Sequence, residues 1–208
     1  MNPFTSVTGT AVPLRASDIN TDIIIPQKWL ITTERHGLGA GFFGNLRYLQ
    51  DGSEPDPSFI LNEPRFRGAQ IVVAGSNYGC GSSREHAVWA HLDYGIRAVI
   101  ASSFGPIFFD NALKNGLAVV TLGESHVAHL TQQLQMRAGN SMTVSLVSEL
   151  VLGPDEMSYP FTMDQDSRSS LLSGLDEIQR TIESMPAIDA FETADRVLRP
   201  WIWDDSHA

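Results

Sequence analysis

Three short apolar runs, each followed by an amphipathic stretch, place this 208-residue sequence in the α/β class. The runs are residues 70–74 (QIVVA), 98–101 (AVIA) and 117–122 (LAVVTL). Their length and β-branched content fit strands buried on both faces. Helical spacing follows at 83–94, 106–114 and 125–138. Alternation of strand and helix favours parallel pairing with helices packed on the sheet, an arrangement that pattern alone assigns to a doubly wound fold. Hydrophobic content of 42% and charged content of 18% fit a globular chain with a sizeable core.

The opening segment is less regular. Residues 7–14 read as a strand, leading through Ser17, Asp18, Ile19, Asn20, Thr21 and Asp22 to the run 23–26. Four glycines in residues 37–44 (GLGAGFFG) suggest a mobile loop, and three prolines in 51–64 suggest irregular surface. In the middle, Ala87, Val88, Ala90, His91 and Tyr94 give the first helix its apolar face. Pro106 suits a first helical turn, Asn115-Gly116 stops that helix, and Gly139-Asn140 closes the next. Residues 142–151 read as one strand paired with 158–163. A long amphipathic helix is expected over 167–183, with Leu171, Leu172, Leu175, Ile178 and Ile182 on one face. A shorter helix follows at 188–196. The aromatic tail 199–203 is read as capping its own core rather than docking on a partner. The whole chain, 1–208, reads as one domain: an irregular opening (1–64), a βα core (65–140), then strands, helices and tail (141–208).

With 14 Lys+Arg against 24 Asp+Glu the formal net charge is −10, which argues against nucleic acid as a partner. The single cysteine excludes an intrachain disulfide, a CxxC pair or a cluster held by thiolates of this chain alone. Residues 1–13 lack the basic and apolar regions of a signal peptide, and no run approaches the ~20 apolar residues needed to span a bilayer. No membrane partner is expected, and the cytoplasm is the expected location.

The densest chemistry follows the 70–74 strand: Gly75-Ser76-Asn77-Tyr78-Gly79-Cys80-Gly81-Ser82-Ser83-Arg84-Glu85-His86-Ala87. Glycines allow positive φ and close approach of a ligand. Ser82 and Glu85 have capping-box spacing, so Ser82 is expected to start the helix, whose exposed N–H groups and dipole favour an anion. Arg84 adds a planar fork of donors suited to a carboxylate or phosphate. The loop has no lysine for a Walker A motif, no G-x-S-x-G elbow, and G-x-x-x-G-x-G in place of the dinucleotide fingerprint. The spacing alone leaves open a plain glycine-rich turn with a capping serine and a solvated arginine.

The run GSNYGCGSSREHA resembles the signature of the aconitase-type swivelling domains, in particular the small subunits of the isopropylmalate dehydratase type. Further landmarks occur in the same order: Val12-Pro13-Leu14, Asn20-Thr21-Asp22, Ile24-Ile25-Pro26, Asp93-Tyr94-Gly95, Ser103-Phe104, Ile107-Phe108, Gly174-Leu175-Asp176 with Ile178, and Ala190-Phe191-Glu192. The resemblance spans nearly the whole chain. It implies a β/β/α three-layer swivelling domain with a largely parallel central sheet. It also implies a hydro-lyase that moves a hydroxyl between neighbouring carbons of a dicarboxylic acid. In the isopropylmalate branch, a step of leucine biosynthesis, 2-isopropylmalate passes through 2-isopropylmaleate to 3-isopropylmalate. A [4Fe-4S] cluster on a large partner subunit would act as Lewis acid, and this chain would bind no cofactor or metal. Small subunits of the homoaconitase or dimethylmaleate hydratase type, or a non-catalytic carboxylate-binding module, are the alternatives.

Carried over position by position, the resemblance makes Ser82 the catalytic base, a task that needs its alkoxide stabilised. Ser83 and Arg84 would grip a substrate carboxylate. Asp22 would be an active-site aspartate orienting a partner residue across the subunit boundary. Arg35 is a candidate second carboxylate contact, in a region where family members differ by substrate. His86 is expected to support the helix rather than react, and Cys80 to be a small loop residue near the site. Asp18, Asn20 and Asp22 do not make a calcium loop, since Ile23 and Trp29 stand where glycine and glutamate are needed. His126 and His129 share a helix face without an acidic or thiol companion, so they are read as ordinary helix histidines.

Overall fold

Four apolar strands lie side by side because each is buried on both faces. The computed structural model describes residues 1–49, 52, 54–136 and 141–203. In it β1 (Ser6–Leu14), β2 (Ile71–Ala74), β3 (Ala98–Ala101) and β4 (Ala118–Thr121) are ordered β4-β3-β2-β1. All three pairings are parallel: Ala11 aligns with Ile71, Ile71 with Ala98, and Ala98 with Ala118. Along β2, Ile71 and Val73 enter one apolar cluster while Val72 and Ala74 enter another. The two-residue period of a strand thus puts a core on each side of the sheet. Each fully buried Ile or Val contributes roughly 1.5–3 kcal/mol, so strands of four residues rest on packing.

Helices supply the covering layers. Two single turns, α1 (Thr21–Ile24) and α2 (Gly44–Arg47), lie in the opening segment. Helices α3 (Glu85–Tyr94) and α4 (Pro106–Asn115) close the core that contains Val72 and Ala74. Helix α5 (Glu124–Met136) closes the opposite core. Beyond β1 the sheet turns antiparallel through β5 (Ser141–Ser145), β6 (Leu150–Leu152) and β7 (Ser158–Pro160), giving seven strands among the described residues. Their inward side chains Met142, Val144, Val151 and Tyr159 share the α5 core, together with Leu171 of α6 (Gln165–Ser173). The α/β class and the parallel βα core agree with the sequence.

Several boundaries differ, each for a local reason. Residues 142–151 make a hairpin instead of one strand: Glu149 adopts φ 52, and the chain turns so that Val151 faces Val144. The helix expected over 167–183 is two. Gly174 ends α6 in the left-handed region at φ 71. Helix α7 (Glu177–Glu183) then starts afresh from Asp176, whose carboxylate accepts from Gln179 N–H while Gln179 accepts the Asp176 N–H. The five apolar residues therefore do not share one face: Leu171 is buried, whereas Ile178 and Ile182 are exposed. Residues 37–44 are packed rather than mobile, with Leu38, Phe42 and Phe43 buried. At Gly41 a Cβ would lie 2.6 Å from the Trp29 ring, so only hydrogen fits. The expected stop at Gly139-Asn140 lies outside the described residues.

By internal contacts the chain divides into two compact units, Met1–Gly174 and Leu175–Ala208. The second consists of α7, α8 (Met185–Leu198) and a final turn, α8 being longer than the 188–196 expected. Within it, Asp195 accepts hydrogen bonds from Arg199 Nε at 2.6 Å and Trp203 Nε1 at 2.9 Å. Trp203 thus docks back on its own helix, while Trp201 stays exposed. Among the described residues no helix is long and apolar enough to cross a membrane.

Candidate active site

Parallel neighbours leave the sheet at the same edge, so the segments that follow β1, β2 and β3 continue side by side, where α/β proteins place ligands. Residues 75–84 run between two such neighbours, with bridges Asn20 to Cys80 on one side and Tyr78 to Phe104 on the other. Gly79 N–H donates to Ile19 O at 2.7 Å and Thr21 N–H to Cys80 O at 2.9 Å. Tyr78 N–H donates to Ser103 O at 3.0 Å, and Gly105 N–H returns to Tyr78 O at 2.8 Å. At Gly79, φ is 73 and a Cβ would fall 2.2 Å from Phe108 Cγ. The loop needs glycine there on both counts.

Tyr78 anchors this loop from beneath. Its hydroxyl lies 2.7 Å from His91 Nε2, and both side chains are buried. His91 Nδ1 is 2.6 Å from Ala87 O. A carbonyl only accepts, so Nδ1 carries the proton and Nε2 accepts from Tyr78. Burial lowers the His91 pKa to about 4, opposed in part by the bond to Ala87, and burial raises that of Tyr78. The pair is neutral, and it ties the signature loop to the helix that follows. The sequence puts His91 on the apolar face of its helix and Tyr78 in the signature loop, and it does not show their union, which joins positions 13 apart.

Helix α3 begins at Glu85, not at the serines. Arg84 is its N-cap, with extended backbone and no side-chain capping bond, and no capping box forms between Ser82 and Glu85. Glu85 instead accepts from Asn115 Nδ2 at 2.7 Å. Ser82 and Ser83 are exposed ahead of an N-terminus that no side chain caps. Of the two tasks considered for Ser82, cap and base, the structure removes the first. Thr21 Oγ1 donates to Ser82 O at 3.0 Å and fixes that residue's backbone.

Asp22 and Arg84 come together as an ion pair within the chain. Asn20 makes this possible by capping α1: its side chain accepts from Ile23 N–H at 2.9 Å and sets Asp22 in the first turn. Asp18 accepts from Asn77 Nδ2 at 2.7 Å. Asp18, Asn20 and Asp22 therefore serve three different partners. Arg35 is exposed, its guanidinium 5.2 Å above the Trp89 ring of α3. His86 Nε2 lies 2.8 Å from Thr32 O, so this histidine supports a loop. His129 Nδ1 pairs with Tyr159 OH at 2.6 Å and the His126 ring packs against Tyr159, both structural contacts. Among the described residues no three His, Cys, Asp or Glu side chains converge as metal ligands.

These features define a member of the aconitase C-terminal domain family, which residues 1–125, more than half of the chain, match. The chain is 48% identical over 202 residues to 3-isopropylmalate dehydratase small subunit 1 of Bordetella pertussis, covering 97% of this chain and 100% of that protein. The small subunit of Cereibacter sphaeroides is 47% identical and that of Rhodopseudomonas palustris 45%, each with 97% of this chain and 100% of the relative covered. A solved 3-isopropylmalate dehydratase structure from Methanocaldococcus jannaschii superposes with a TM-score of 0.63 at 26% identity, covering 90% of this chain and 99% of the other. Within that domain family, the chain belongs to the 3-isopropylmalate dehydratase small subunits.

Proposed function

We propose that this chain is the base-bearing, substrate-gripping half of a cytoplasmic 3-isopropylmalate dehydratase, acting in leucine biosynthesis with a large subunit. The observation that carries this reading is the placement of Ser82. It is an exposed serine freed from capping, held through its carbonyl by Thr21 and next to the uncapped N-terminus of α3. Oriented N–H groups and the Arg84 charge both favour an alkoxide over a hydroxyl.

In the dehydration direction Ser82 Oγ, as alkoxide, takes the proton from the carbon beside the one that loses hydroxide. Ser82 is left as a hydroxyl, the carbon–hydrogen electron pair becomes the double bond of 2-isopropylmaleate, and rehydration returns the proton to the other carbon. Ser83 and the free face of Arg84 would hold a substrate carboxylate. Asp22 fixes the Arg84 fork and limits its freedom to swing. Arg35 reaches a second carboxylate from the neighbouring loop. The −10 charge of the chain leaves this basic pair as a local exception suited to a dianion. One thiol, Cys80, does not fit as holder of a four-iron cluster, so the Lewis acid for the departing hydroxyl belongs to the partner.

The test is a hydratase assay of the chain alone and after reconstitution with an iron-loaded large subunit, against isopropylmalate, citrate and homocitrate. Turnover of isopropylmalate by the pair only supports the reading. Preference for homocitrate moves the chain to the homoaconitase branch, and full activity of the chain alone overturns the division of labour.

A further inference from the structure

The helix that carries the serine and arginine end of the site also holds the loop bearing Arg35, and it does so along one stripe. His86, Trp89 and Asp93 are spaced three and four apart, which puts them on one face of α3. His86 Nε2 donates to Thr32 O at 2.8 Å, and Trp89 lies under the Arg35 guanidinium. Asp93 Oδ2 accepts from Gly39 N–H at 2.7 Å, with its other oxygen 3.8 Å from His36 Nδ1. Gly39 is pressed so closely on the end of α3 that a Cβ would lie 2.7 Å from Tyr94 N and 2.9 Å from Asp93 O.

The far side of the same glycine is held by Arg47. This buried arginine donates through Nη1 to Gly39 O and Phe42 O, both at 3.0 Å, and through Nη2 to Ala40 O at 3.3 Å and Tyr48 OH at 2.6 Å. Its guanidinium also lies 5.0 Å from the Tyr94 ring. A charge taken this far from water is tolerated only where its donors are satisfied, and here loop carbonyls satisfy them. Gly39 is thus gripped at its N–H by Asp93 and at its C=O by Arg47. Residues 33–37 span from the Thr32 anchor to the Gly39 anchor and are exposed between them. Asp93 lies seven positions beyond His86 on α3, about 10 Å of helix, so the arm is fixed at two well-spaced points.

We infer that Asp93, with Arg47 and His86, is a positioning residue that sets the arm 31–37 along the His86–Trp89–Asp93 face of α3, the helix that follows Ser82–Arg84, and so selects the substrate's side group. This rests on the dehydratase reading above. Such residues never touch substrate; they act through Thr32, Arg35 and Gly39. Loosening the arm should therefore weaken ground-state recognition of the branched group more than the chemical step.

The test compares Asp93→Ala and Asp93→Asn in the reconstituted complex, measuring hydration of 2-isopropylmaleate against maleate, which lacks the isopropyl group. For Asp93→Ala the KM for 2-isopropylmaleate is expected to rise at least tenfold with kcat within threefold, and the preference over maleate to fall at least tenfold. Asp93→Asn should stay within threefold of the parent, since its amide oxygen still accepts from Gly39. In the isolated full-length chain, tryptic cleavage after Arg35 should be at least tenfold faster for Asp93→Ala. An unchanged preference, or equal damage from Asn and Ala, overturns the inference. If the parent complex does not hydrate 2-isopropylmaleate, the function reading fails and the cleavage rates alone decide the clamp. If Asp93→Ala does not fold, His86→Ala, at the half-exposed end of the stripe, is put through the same measurements against the same thresholds.

Discussion

Mild acid should destabilise this protein through one buried histidine. His91 is fully buried, donates from Nδ1 to Ala87 O and accepts at Nε2 from Tyr78. Its pKa is lowered to about 4, chiefly by burial, against 6.5 for the free side chain. Above pH 6.5 both folded and unfolded chains hold it neutral. Between pH 6.5 and 4 the unfolded chain binds a proton that the folded chain refuses, so stability falls as pH falls. At about 1.4 kcal/mol per pKa unit the full loss near pH 4 is roughly 3 kcal/mol, and about 2 kcal/mol has gone by pH 5. For a unit of this size that corresponds to a Tm drop of about 4–8 °C. Asp56 and Asp164, whose pKa values are lowered by hydrogen bonds to Ser58 and Ser167, lose their contribution only below about pH 4. Comparison of the parent with a variant at His91 between pH 7.5 and 5 therefore isolates this histidine. The assay is urea unfolding of the parent and of His91→Gln at both pH values. The parent should lose about 2 kcal/mol more than the variant over this window. Equal losses would refute the neutral, Tyr78-bonded histidine.

Three further outcomes follow from the site. Thr21→Val removes the donor to Ser82 O, a bond of about 1 kcal/mol, and should lower kcat of the reconstituted complex about fivefold in steady-state assays. Arg84→Lys keeps the charge but loses the planar fork, and should raise KM for isopropylmalate at least about tenfold; an unchanged KM would place the carboxylate elsewhere. Gly79→Ala meets both a left-handed φ and the Phe108 ring, and should cost about 2–5 kcal/mol by urea unfolding of the isolated chain.

The sequence disclosed what depends on period and missed what depends on contact. Strands β2, β3 and β4 were legible because each is a short apolar run bounded by polar or glycine residues. Helix α4 was legible because Pro106 and Gly116 mark its ends. The break inside 167–183 had signals of its own. Gly174 is a left-handed cap and Asp176 with Gln179 is a capping box, but the apolar spacing of 167–183 outweighed both. At Ser82 the error ran the other way: a capping-box spacing was present and unused. Bonds from Thr21 to the Ser82 carbonyl and from Asn115 to Glu85 hold the chain extended through Arg84 instead. The Asp22 to Arg84 pair and the Arg47 grip on residues 39–42 join distant or irregular segments, for which no periodicity exists to read. The motif named the residues of the candidate site; only the fold shows which of them are free, paired or clamped.

The central claim is that this chain contributes the proton-transferring serine to a two-subunit hydro-lyase. The most direct measurement is kcat for isopropylmalate of the Ser82→Ala chain assembled with an iron-loaded large subunit, with assembly followed by gel filtration. A general base contributes about 10²–10⁴ in rate, so turnover should fall by at least about a hundredfold while the complex still forms. Turnover within tenfold of the parent, in an intact complex, would contradict the account.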